Sequence, residues 1–221
     1  MLRRTRLGTA LARGGDVLRR EGPRSLWFKI LGATVYRRLI LVERPLCEPV
    51  PDVKAAVAVE VSVLAHSEIA EYRRFRPDTA EAEIQSRLDA GQRCFVARHA
   101  GQIVSARWAA VTRVWIDYLA CELALAPDEG YPHDLFTAPE FRGHAVSPVT
   151  SAAMLRHFQR AGYRRMVGTV LPGNEASFRA SAKTGYRPCG RIGYVGIGPW
   201  IWRFRTDSGQ GMTAPVAPQR R

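Results

Sequence analysis

The sequence predicts a mixed α/β domain. Three observations carry this: short apolar segments with strand-like alternation between turn residues, a strand–turn–helix–strand unit from His133 to Leu171, and a helix from Asn174 to Thr184 followed by two more strand segments. A crossover of the His133–Leu171 kind lays its two strands side by side and parallel, since a tight hairpin joins only antiparallel neighbours. With 221 residues and 46% apolar content, the chain can bury one proper core and still carry extra segments.

The first 45 residues read as a basic helical arm. Gly14-Gly15 and Gly22-Pro23 punctuate it into two short helices and a longer one. From Leu26 to Val42, Trp27, Phe28, Ile30, Leu31, Val35, Leu39 and Val42 fall mostly on one side, with Lys29, Arg37 and Arg38 elsewhere, which predicts an amphipathic helix. The arm holds eleven Lys and Arg against Asp16, Glu21 and Glu43, a net +8 of the chain's +13. The basic character therefore belongs to the arm. Such a helix docks on its own domain or rests peripherally on an anionic membrane surface, and nucleic acid is not the expected partner.

No run of about 18 uncharged apolar residues occurs, and no cleavage site follows the short apolar stretch Leu7–Ala12. The expectation is a cytoplasmic protein, with residues 1–45 free to touch the inner membrane surface. Cys47, Cys94, Cys121 and Cys189 are widely spaced without a Cys-x-x-Cys pair, so they are expected as reduced, mostly buried thiols rather than a zinc site or disulfide framework.

Pro45, Pro49 and Pro51 make a connector into the main domain, taken as residues 46–206, with 207–221 as a disordered tail. A strand is expected over Val57–Val63, then helices over Ala65–Arg74 and Asp78–Ala90. Cys94–Arg98 and Ile103–Trp108, around Ala100-Gly101, form a hairpin whose second strand continues, bulged, to Ile116. Strands at His133–Ala138, Met166–Leu171, Arg187–Ile197 and Trp200–Arg205 complete the pattern.

The stretch Pro139–Pro148 is the most informative. A strand runs into Arg142-Gly143, and Pro148 suits the first turn of a helix that ends near Gly162. A helix N-terminus there aims unpaired N–H groups and its positive dipole end at a strand end, which makes an anion site. Arg142 adds charge, and Gly143, Ala145 and Ser147 let phosphate oxygens approach the backbone.

Arg142-Gly143-His144-Ala145-Val146-Ser147 resembles the Arg/Gln-x-x-Gly-x-Gly/Ala signature of the GNAT superfamily of acyltransferases, with Ala145 and Ser147 replacing the usual small residues. The stretch Asn174–Tyr186 is similar to the family's second hallmark, an Asn opening a helix that ends in Lys-x-Gly-aromatic, here Lys183-Thr184-Gly185-Tyr186. The resemblance covers roughly residues 55 to 205 and implies a central, mostly antiparallel twisted sheet of about six to seven strands with one parallel splayed pair and helices on both faces. It also implies acetyl-CoA or another acyl-CoA as cosubstrate, with no metal. By that resemblance the strand at Leu135, Phe136 and Thr137 offers backbone groups to the pantetheine and acyl carbonyl. Arg142, Gly143, His144, Ala145, Val146 and Ser147 hold the pyrophosphate, and Asn174 contacts the pantetheine arm or shapes its channel. Asn174 is equally a helix cap.

The implied reaction is direct attack of an amine, from a small molecule or a lipid-linked acceptor, on the thioester. An alkyl amine with a pKa of about 10 arrives protonated, so a general base helps. Asp134, with His133 beside it, is the first candidate, ahead of Glu140, Asp117 and Glu122; a strand carboxylate is also commonly structural. The family's tyrosine that protonates the departing thiolate corresponds here to Ser181. Serine is a poorer donor, yet a thiol of pKa about 8.5 leaves tolerably as the anion. Tyr163, Tyr186 and Tyr194 are substitutes, each also readable as packing.

Two other function classes stand beside this one: a GNAT-like binding module with reduced catalysis, and an acyltransferase held by its arm at a membrane to modify a lipid or envelope-sugar amine. Nucleotide folds of other kinds fit poorly. The glycines from Gly193 to Gly198 have the wrong spacing for a dinucleotide turn, and Gly-Lys-Ser/Thr is absent.

Overall fold

A computed structural model of the chain describes residues 34–197 and 200–207. The two short helices expected near the start, the beginning of the longer one and the tail from 208 lie outside the described residues.

The first described element corrects the reading of the arm. Thr34–Pro45 is a strand, β1, where a helix was expected through Val42. Leu39 and Leu41 are buried from one face of the strand and Val42 from the other. A strand covered on both sides reads as a continuous apolar run, which periodicity cannot separate from a helix, and Val35, Tyr36, Ile40 and Val42 favour the extended form. The sheet thus takes in residues that had been assigned to the arm.

Glu60–Val63 (β2) is shorter than expected, and Val57 and Val59 pack as loop residues beside Ala97, Val104 and Val146. Ile69–Phe75 (α1), Glu81–Asp89 (α2), Arg93–His99 (β3) and Gln102–Ala110 (β4) follow, with Ala100 and Gly101 at positive φ in the β3–β4 turn. β4 stops at Ala110 instead of reaching Ile116. Arg113–Ile116 (β5) pairs with Cys121–Ala124 (β6) as a separate hairpin, because Val114, Ile116 and Leu123 pack inward over Leu39, Leu41 and Ile192. Then come Glu129–Thr137 (β7), Val146–Arg160 (α3), Arg165–Val170 (β8), Glu175–Lys183 (α4), Arg187–Ile197 (β9) and Trp200–Asp207 (β10).

The main sheet has eight strands in the order β10-β9-β1-β8-β7-β4-β3-β2. The strand beyond the expected count is β1, antiparallel to both β8 and β9. β7 and β8 form the parallel pair. Helices α1 and α2 cover one face around Trp108, whose Nε1–H donates to Tyr72 Oη at 2.8 Å. The opposite face packs Phe95, Ala109 and Met166 against Met154, Leu155 and Phe158 of α3. Cys94 and Cys189 are buried as expected, whereas Cys47 is exposed. Among the described residues no helix is long and apolar enough to cross a membrane.

Candidate functional site

The site starts from how briefly β7 and β8 hold together. They pair at Glu129 with Arg165 and Gly130 with Met166, and no further. An ionic cluster fastens this end: Arg165 Nε donates to Glu129 Oε1 at 2.8 Å and its Nη1 to Glu43 Oε2 at 2.7 Å, with Glu129 and Arg165 almost fully buried. Beyond Gly130 two features part the strands. Pro132 has no N–H to offer a ladder. The β4–β7 register then shifts between Ala106 and Trp108, where Asp134 sits at φ 44°.

Parting leaves the β8-facing backbone groups of Tyr131–Thr137 without a strand partner, since β4 occupies only the other edge. The space between is a cleft of about 310 Å³, lined among others by Arg107, Tyr131, Ser147, Ser151, Ser181 and Tyr186.

The mouth of the cleft is the start of α3. Gly143 lies at φ +83° and needs to be glycine for that reason alone, as a Cβ there would meet nothing. Ala145, also left-handed, is the N-cap and gives no side-chain hydrogen bond, so the first N–H groups of α3 are uncapped. Arg142 is exposed and folds back, its Nε donating to the Thr137 carbonyl at 3.2 Å. His144 donates nothing to this turn but accepts on its carbonyl from Ala56 N at 2.9 Å. Val146 is buried in the core, and Ser147 lines the cleft. The residues expected to form the anion cradle thus lie together at the start of α3.

On β7, Leu135 is exposed and Thr137 Oγ1 shares a 2.9 Å hydrogen bond with Ser105 Oγ. Phe136 packs edge-on to Phe75 under the Arg76 guanidinium, 4.4 Å from its ring centre, and none of Leu135, Phe136 and Thr137 is among the residues lining the cleft. Asn174 caps α4, its Oδ1 accepting from Ser177 N at 3.0 Å, and the cap role read from sequence holds. Gly185 ends that helix at φ +81°, with Arg44 Nε only 2.6 Å from where a Cβ would stand. Ser181 lines the cleft, and its hydroxyl has no hydrogen-bond partner among the described residues.

Asp134 occupies a different setting. Its carboxylate accepts from Arg87 Nη1 at 2.6 Å and Arg76 Nη1 at 3.3 Å, groups that follow α1 and belong to α2. Burial would raise its pKa, but the hydrogen bond and charge of Arg87, then those of Arg76, outweigh it and hold the carboxyl below its ordinary value. Beside it His133 Nε2 meets Gln92 Oε1 at 3.0 Å, and burial, then the Arg87 charge, pushes the imidazole down to about 4. Glu140 and Asp117 are exposed, and Glu122 faces Arg113 at 3.7 Å. None of these carboxylates lines the cleft.

Two cleft residues carry more than the sequence reading assigned them. Tyr186 is shielded from solvent with its Oη unpaired, and burial raises the phenol's pKa against the opposing charges of Arg107 and Arg44. Tyr163 and Tyr194, by contrast, pack against Phe158 and beneath Arg203. Arg107 was missed altogether. A signal was present: it interrupts the apolar run Ile103–Ala110 on the same face as Ala109, and a charge at a core-facing strand position calls for a partner.

Among the described residues no three His, Cys, Asp or Glu side chains converge as metal ligands. No family model and no curated protein matches the sequence. Solved structures do. A GCN5-related N-acetyltransferase from Kribbella flavida aligns with a TM-score of 0.50 at 18% identity, over 79% of this chain and 64% of that one. A GNAT-family protein from Novosphingobium aromaticivorans aligns at 0.49 and 14%, over 73% and 65%. An aminoglycoside N-acetyltransferase in complex with CoA aligns at 0.45 and 20%, over 58% and 91%. The chain thus spans just under two thirds of the first two. At such identities the likeness speaks for the fold alone.

Proposed function

We propose, from the GNAT acyltransferase fold that this chain adopts, that it is an N-acyltransferase using acyl-CoA as donor and an amine as acceptor. The observation that carries the reading is the cleft between β7 and β8 with the uncapped start of α3 at its mouth. A free strand edge suits an extended amide-bearing arm, and a helix N-terminus flanked by Arg142 suits a pyrophosphate. The donor supplies an activated thioester carbonyl, and the chain's part is to bind, orient and exclude water. Gly143 to Ser147 hold the phosphates, the backbone of Leu135–Thr137 aligns the arm, and Asn174 keeps α4 in place. Ser181 hydrogen-bonds the departing sulfur. We read Asp134 as holding Arg76 and Arg87 at the acceptor side, with the amine losing its proton to water.

Calorimetry with CoA and acetyl-CoA, followed by thiol release with a panel of amines, tests this. Binding with release is the expected result. Binding without release from any amine would leave a binding module, which the replacement of the usual tyrosine by Ser181 favours. Neither binding nor release would sink the proposal.

A lipid or envelope-sugar amine remains the acceptor class to test for an enzyme held at a membrane. Exposed Tyr36, Ile201 and Trp202, with Arg38 beside Tyr36, favour that second reading. Liposome binding by the whole chain and by a chain lacking residues 1–33 is the test; binding by neither removes it.

A further inference from the structure

The cleft holds a positive charge that the fold itself leaves uncompensated. Arg107 reaches from β4 to the second turn of α3, where its Nη1 donates to Ser151 Oγ. That is its sole protein hydrogen bond among the described residues, and it pairs with no carboxylate. Its Nε is shielded from solvent without a partner, as is Tyr186 Oη, and both side chains line the same cleft. Burial disfavours the charged guanidinium, and Tyr186 is the titratable group beside it. Arg107 is half-buried as a residue, and a shielded donor without a partner is costly, more so when it carries charge. The arginines buried more deeply are treated differently: Arg44, although its Nε is also without a partner, meets Glu48 at 2.6 Å, and Arg165 meets Glu43 and Glu129. Arg107 is thus left waiting for an anion.

Position decides which anion. Ser147, at the mouth, and Ser151, one turn deeper, both line the cleft, and Ser151 Oγ donates to the Ser147 carbonyl at 2.8 Å. A molecule with its phosphates on the α3 N-terminus therefore extends inward toward Arg107. The stretch between such phosphates and the thioester is a neutral amide chain, which needs no buried cation. The acceptor side, around Asp134, already has Arg76 and Arg87, and neither lines this cleft.

Resting on the acyltransferase reading, we infer that Arg107 and Tyr186 form a carboxylate site, and that the donor is the CoA monothioester of a short dicarboxylic acid such as malonate, succinate or glutarate. The guanidinium and phenol donate to the distal carboxylate, which is unchanged in the reaction. The amine attacks the thioester carbonyl, the C–N bond forms, and the C–S bond breaks with its electron pair on sulfur. The proton lost by the amine ends on the thiolate. The product is an amide bearing a free carboxylate.

The test is calorimetry on the full chain with CoA, butyryl-CoA and succinyl-CoA, the last two having acyl chains of equal length. Succinyl-CoA should bind at least about tenfold more tightly than butyryl-CoA, as a charge-assisted bidentate contact would give. In Arg107→Met that preference should fall to within about twofold while butyryl-CoA affinity changes little, and Arg107→Lys should lie between the two. Equal affinity of the native chain for both thioesters overturns the inference without needing any variant. Equal weakening of all three ligands in Arg107→Met also overturns it, since Arg107 would then serve the phosphates of CoA. Failure of the native chain to bind any of the three ligands would instead take down the acyltransferase reading on which the inference rests.

Discussion

Replacing Asp134 with asparagine separates a structural carboxylate from a catalytic one. The change keeps the size of the side chain but removes the charge between Arg87 Nη1 at 2.6 Å and Arg76 Nη1 at 3.3 Å. Removing one member of a buried pair costs about 3–5 kcal/mol. The Asp134 side chain is 24% exposed, so solvent screens part of this and roughly 2–3 kcal/mol is expected. In a domain of this size that lowers Tm by roughly 4–12 °C. Thermal and urea melts are to be read beside thiol release at saturating donor across pH. Asp134→Asn should melt early, yet keep kcat within about tenfold with the same pH profile wherever it is folded. A general base behaves in the opposite way: kcat falls about 10²–10⁴-fold, the acid limb of the profile disappears, and stability barely moves. That result would refute the reading of Asp134 as a positioning group.

Acid should weaken the fold through His133. Its pKa is lowered to about 4 in the folded chain from about 6.5 unfolded, so the unfolded chain binds more protons between those values. Its contribution is complete above about pH 6.5 and is lost as pH falls toward 4, by up to roughly 3 kcal/mol. Urea midpoints across this range should drop, and His133→Gln should flatten the drop; superimposable curves would absolve His133. Glu129→Ala removes one of the two carboxylates, with Glu43, that Arg165 meets at the fastened end of the parallel pair, where a loss of about 3 kcal/mol in urea unfolding is expected, and a loss below about 1 kcal/mol would show that the cluster is not holding the strands. Asn174→Ala removes the α4 cap and should cost about 1 kcal/mol by the same measurement. A chain beginning at residue 46 lacks β1 and with it buried Leu39, Leu41 and Val42, so its far-UV and near-UV spectra should show no native fold; a folded product would mean that β1 is dispensable.

Much of the site was legible because it is local. The β7–turn–α3–β8 unit follows from Arg142-Gly143, Pro148 and Gly162 acting on backbone within a few residues of themselves. Asn174 announces α4 through a hydrogen bond three residues long. What stayed hidden depends on partners far along the chain. Asp134 looks like a free carboxylate in sequence, but Arg76 and Arg87 come from 58 and 47 residues away. Arg107 looks like an ordinary polar residue in a strand until α3 closes over it.

By itself the sequence determined the order of elements from β2 to β10 apart from the β5–β6 hairpin, together with the parallel crossover and the turn at Gly143 before α3, since capping, turn chemistry and alternation act over a few residues. Tertiary structure decided that Thr34–Pro45 is a central strand between β8 and β9, because an apolar run covered on two faces has no period of its own. It also decided which charges are answered. Glu43 and Glu129 answer Arg165, Asp134 answers Arg76 and Arg87, and Arg107 is left facing the cleft, pairings fixed only when distant strands and helices are packed together.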